Sequence, residues 1–134
     1  MKKIVSVLLL LSIIIAVACP TYAAEPRYTN ANNLLVTISV NSSGKATVFV
    51  KMYGCASLTQ SHITTYIEKK VGSTWTRVDI GTVNDVWECT STSTTVVKTY
   101  TAQLSSTGEY RAVAEFTLTG STIEEVTKTA TTSY

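Results

Sequence analysis

From Asn33 onward, apolar side chains recur at every second position over most of the chain, the period of a strand with one face in a core and the other in water. Leu34, Val36, Ile38 and Val40 alternate with Leu35, Thr37 and Ser39. Asn41-Ser42-Ser43-Gly44-Lys45 then supplies turn chemistry, and Ala46, Val48, Val50 and Met52 resume the alternation. Pairing Val40 with Ala46 also pairs Ile38 with Val48, Val36 with Val50 and Leu34 with Met52. A single register thus puts every inward residue of a hairpin on one face.

The same reading continues downstream. His62 to Lys70 alternates, with Ile63, Thr65 and Ile67 on one side and Tyr66, Glu68 and Lys70 on the other. Val71 to Thr74 turns, and Trp75 to Ile80 returns as a strand, with Trp75 expected to pack over the core edge. Gly81 to Asp85 reads as an irregular crossing that carries Val86 to Cys89 toward a second sheet. Val96, Lys98, Tyr100, Ala102 and Leu104 share one face of the next strand; a lysine there suggests a bulge that reverses the assignment. Tyr110, Ala112, Ala114, Phe116 and Leu118 form the most consistent inward set, opposite Arg111, Val113, Glu115 and Thr117. Thr122 to Tyr134 is the last strand, and a bulge near Glu124-Glu125 would bring Ile123 and Val126 into phase.

The N-terminus has a different composition. Lys2 and Lys3 precede an apolar run from Ile4 to Val17 and a small-residue stretch to Ala24, the order of a signal peptide over residues 1–23 cut after Ala23. The run is shorter than the roughly 18–20 residues that span a bilayer. A second processing reading takes Ala16-Val17-Ala18-Cys19 as a lipobox with Cys19 lipidated, although Ala16 stands where a bulky aliphatic residue is usual. Residues 24–33 read as an extended leader and residues 34–134 as one domain, large enough for one modest core. Losing Lys2 and Lys3 reduces the 11 basic residues to nine, equal to the 9 acidic ones, so the net charge falls from +2 to zero. Without a basic excess, nucleic acid is not an expected partner.

Removing Cys19 leaves Cys55 and Cys89, and an even pair in an exported domain reads as a disulfide. A bridge closing a loop of about 35 residues would contribute about 3–4 kcal/mol.

Gly108-x-Tyr110-x-Ala112 resembles the tyrosine corner of immunoglobulin-like domains, in which a turn leads into a strand facing the core. That resemblance implies an all-β, antiparallel immunoglobulin-like sandwich of about seven strands. It also implies that the end of the second strand lies beside the start of the fifth, near Cys55 and Cys89. Ala112 stands where antibody domains place a cysteine, so the usual bridge between the sheets is not expected. Tyr66 to Lys70, Gly72 to Trp75 and Gly108 to Arg111 further resemble segments of small exported bacterial sandwich proteins of unknown function, a likeness that implies no activity.

Candidate chemistry is sparse. His62 is the sole histidine, no Gly-x-Ser-x-Gly elbow marks a nucleophile, and Glu124 and Glu125 are adjacent strand residues that should face apart. Asp85 and Glu88 match no calcium-loop spacing. No catalytic residue, cofactor or metal is therefore expected. Phe49 and Tyr53 lie on the outward face of the first hairpin, and Trp87 lies in a loop near the cysteines; these three are the candidate ligand-binding residues. The sequence reads as a secreted, non-catalytic binding module for an extracellular protein or glycan, with no transmembrane helix in the mature chain. Self-association through an open strand edge, as a structural protein, is the alternative. A small toxin or inhibitor is a third reading.

Overall fold

The computed structural model describes residues 27–134. The signal-peptide, cleavage-site and Cys19 readings, and the first residues of the leader, lie outside them. Eight strands follow one another: β1 (Ala31–Val40), β2 (Lys45–Gly54), β3 (Gln60–Val71), β4 (Thr74–Arg77), β5 (Trp87–Ser91), β6 (Thr95–Gln103), β7 (Glu109–Thr119) and β8 (Ile123–Ser133). They form two antiparallel sheets, one of three strands in the order β1-β2-β6 and one of five. In the second sheet β3 and β7 are central, β8 flanks β7, and β4 and β5 share the far edge of β3. This is an immunoglobulin-like β-sandwich with one strand more than the sequence pattern suggests.

The first hairpin has the expected register, with Val40 opposite Ala46 and Leu34 opposite Met52. Its turn is held by the Asn41 carboxamide oxygen, which accepts from the Ser43 and Lys45 amides at 3.0 and 2.9 Å. Gly44 adopts φ +80°, a conformation that glycine reaches without steric cost. The inward faces of β2, β3 and β7 meet in the core, where Met52, Ile63, Ile67, Tyr110, Phe116 and Leu118 are fully buried. The Tyr110 hydroxyl donates to the Ser106 carbonyl four residues upstream, completing a tyrosine corner. Gly108 and Tyr134 exchange backbone hydrogen bonds beside it, tying the chain's last residue to the corner.

Several expectations give way. β5 was expected to cross to the other sheet; instead its Trp87, Cys89 and Ser91 pair with Thr65, Ile63 and Ser61 of β3. The Cys55–Cys89 disulfide is therefore not formed, and among the described residues both are free thiols. Cys89 is held against the core on β5, whereas the Cys55 thiol bonds the Thr29 carbonyl at 3.0 Å in the turn after β2. The β6 and β8 registers run without interruption, so neither proposed bulge exists. Lys98 keeps its place on the inward side of β6 and Glu124 on the inward side of β8, while Ile123 faces solvent. Trp75 lies on the outer face of the five-stranded sheet, level with Lys70, and not over the core edge.

Glu124 faces inward because it has partners there. Its carboxylate accepts the Thr29 amide at 3.0 Å and the Asn30 amide at 2.9 Å. Asn30 is completely buried, and its side-chain amide donates to the carbonyls of Leu118 and Thr122. The end of the leader is thus part of the sandwich, and it closes the β1–β8 side. Gly120 leaves room for this contact, since a Cβ there would meet the Asn30 side-chain oxygen at 2.3 Å and the Ser57 carbonyl at 2.7 Å.

Tyr110→Phe, which removes only the corner hydrogen bond, should lower unfolding stability by about 1 kcal/mol, seen as a lower urea midpoint at unchanged slope. Dithiothreitol should leave the melting temperature of the chain lacking residues 1–23 unchanged, because Cys55 and Cys89 are not bridged.

Candidate functional site

The outer face of the three-stranded sheet is built by simple alternation. Each core-facing residue of β1, β2 and β6 leaves its neighbour pointing outward, and the continuous registers align these neighbours into rows. Leu35, Lys51 and Val97 form one row, Thr37, Phe49 and Thr99 the next, and Asn33, Tyr53 and Thr95 a third. Leu35 is 41% exposed, Tyr53 39% and Val97 50%, and the three stand on neighbouring rows of one sheet face. Phe49 is half-buried between its threonine neighbours. The Lys51 ammonium lies 4.3 Å from the centre of the Tyr53 ring, so part of that ring face is already occupied.

Two of the three candidate residues from the sequence therefore share this face, and the third does not. Trp87 is on the inward side of β5, stacked on Tyr100 of β6 with ring centres 4.9 Å apart and planes 3° from parallel. The pair bridges the two sheets, so its aromatic surface goes into packing. Leu35 and Val97 were missed as surface residues. Their outward phase was legible in the alternation, but their alignment on either side of Lys51 depends on β6 pairing with β2.

The opposite face of the molecule, the outside of the five-stranded sheet, carries an aromatic and charged layer. Arg111 pairs with Glu68 and lies 4.5 Å from the Trp75 ring centre. Arg77 lies 3.8 Å over Tyr66, whose hydroxyl donates to Glu115 at 2.8 Å. Lys70 bonds Glu109 at 2.9 Å. Tyr66 and Val113, directly paired beneath this layer, are buried even though they point away from the core. These polar groups satisfy one another and form a cover for the sheet.

His62 bonds the Thr90 hydroxyl at 2.9 Å on the sheet surface and has no serine partner. Glu124 and Glu125 point to opposite sides of β8. Asp85 accepts the Ile80 amide within its own loop. Among the described residues no group of three His, Cys, Asp or Glu side chains is placed to hold a metal ion, and no helix is long and apolar enough to cross a membrane.

Comparison with protein families, with characterised proteins and with solved structures finds no match.

Burial, followed by the Glu115 hydrogen bond and charge, raises the Tyr66 pKa above its ordinary 10.0, and burial with the Cys89 sulfur raises that of Tyr100. The folded state thus favours the neutral phenols. Their contribution is fully present below the unfolded value of 10.0 and is lost as pH rises from there through the folded values. The urea midpoint should therefore fall as pH rises above about 10, and less steeply in Tyr66→Phe and Tyr100→Phe. The same slope in all three proteins would contradict this.

Proposed function

We propose that this chain is an exported, non-catalytic module that binds an extracellular protein through the outer face of its three-stranded sheet. The observation that carries this reading is the group of exposed apolar side chains Leu35, Tyr53 and Val97 around Lys51 on one continuous sheet surface. Contiguous exposed apolar area on a small domain is a feature of contact surfaces, and aromatic and aliphatic groups within a polar rim are their usual composition. Threonines, Asn33 and Ser39 supply that rim.

A protein partner fits this face better than a glycan. Sugar recognition by stacking uses a bare aromatic plane, whereas here Lys51 covers part of Tyr53 and Phe49 is half-buried. What remains is aliphatic area suited to another apolar side-chain surface. Export is supported by the basic, apolar and small-residue order of residues 1–23. Self-association on the same face is the second reading, because a chain without Lys2 and Lys3 has no net charge to keep copies apart.

The test uses the chain lacking residues 1–23, as wild type and as a Leu35→Ser/Tyr53→Ser/Val97→Ser variant with unchanged circular dichroism. Both are immobilised and offered secreted proteins, cell-wall polymers and glycans. Retention of a protein component by wild type alone is the expected result. Retention of glycan, or equal retention by both forms, would refute the reading. Wild-type dimers that the substitutions dissolve would transfer the face to self-association.

A further inference from the structure

The side of the sandwich opposite the Asn30 closure is open. Among the described residues β6 pairs with β2 along one edge and with nothing along the other. In a constant-type immunoglobulin sandwich a fourth strand occupies that position, but here the only strand between β4 and β6 is β5, and it pairs with β3 in the other sheet. The free edge of β6 runs regularly over Thr95–Gln103 with no bulge to twist it away. Such an edge presents unpaired backbone donors and acceptors to an incoming strand. Beside it, between β5 and β6, lies a cleft of about 210 Å³ lined by Cys89, Thr90, Ser91 and Thr95–Lys98.

Lys98 gives this opening its chemistry. It sits opposite Val50, on the inward side of β6 where a core residue would be expected, yet it is exposed because no strand covers it. Lys70 and Arg111 are paired with carboxylates, and Lys51, Arg77 and Lys128 lie over aromatic rings. Lys98 has no such partner among the described residues. A second copy is a poor occupant, since two-fold pairing of β6 with itself places two Lys98 side chains close together on one face, and like charges oppose such a pair.

We propose that the free edge of β6 accepts an extended strand from a partner protein, with a carboxylate of that strand facing Lys98 in the cleft. Backbone hydrogen bonds along β6 would supply much of the affinity and the Lys98–carboxylate pair the register. This edge shares Val97 with the outer face but not Leu35 or Tyr53, and it does not depend on that face's function.

The test measures binding of synthetic peptides of alternating threonine and valine, matched to the 9 residues of β6 and carrying either glutamate or lysine at the centre. The glutamate peptide should bind about tenfold more tightly, a difference of about 1.4 kcal/mol, and should slow amide exchange in β6. Lys98→Glu, at an exposed position, should reverse the preference. A Leu35→Ser/Tyr53→Ser variant, which leaves β6 and the cleft untouched, should bind the glutamate peptide as wild type does, which separates this edge from that face. Equal affinities, no binding of either peptide, or protection on β8 instead of β6 would overturn the proposal. So would dimerisation of Lys98→Val by a protein whose wild type takes neither peptide, because Lys98 would then serve only to block edge pairing.

Discussion

The structure depends on the contact between two alternating faces, that of β2 from the small sheet and those of β3 and β7 from the large one. Each strand can turn only every second side chain into the core, so the placement of Met52, Ile63, Phe116 and Leu118 inside determines which residues face out. The outer rows around Lys51 and the layer around Trp75 follow from that phase. The tyrosine corner secures the same contact where the chain enters β7, because Tyr110 fills the core with its ring and bonds the preceding turn with its hydroxyl.

The two long sides of the sandwich are finished differently. Along β1 and β8, Asn30 and Glu124 satisfy backbone groups that would otherwise be lost in the interior, and Gly120 lets the segments approach. Along β5 and β6 the sheets part, and the Trp87–Tyr100 stack is the main bridge between them. The first of these sides is drawn together by the Glu124 bonds to Thr29 and Asn30. The parted side offers both a backbone edge and an unpaired cation, which places strand recognition there. The apolar outer face of the small sheet is the surface we propose for contact with a protein partner through its side chains.

What was legible in the sequence was the local phase. The hairpin register, the inward set of β7 and the corner tyrosine all follow from period two and short turns, which need no knowledge of distant partners. The likeness to an immunoglobulin sandwich also placed the end of β2 beside the start of β6, but the partner of β5 was not legible. β5 is a five-residue strand with little apolar content, and only its pairing with β3 keeps Cys89 on the core side of that sheet while Cys55 bonds Thr29. Lys98 and Glu124 misled the phase reading for a related reason. Inward means apolar only where another layer covers the position, and both residues sit on edge strands where solvent or backbone amides meet the charge. The alignment of Leu35 and Val97 on either side of Lys51 likewise follows from the pairing of β2 with β1 and β6 and not from their own sequence context.

The central claim is that the sandwich is closed along β1–β8 and open along β5–β6. Residue-resolved amide hydrogen exchange on the free chain lacking residues 1–23 tests it most directly. The account predicts slow exchange throughout β2 and β7 and at the Asn30 amide, and fast exchange at those β6 amides that do not face β2. Protection of every β6 amide to the level of β2, together with rapid exchange at Asn30, would contradict it.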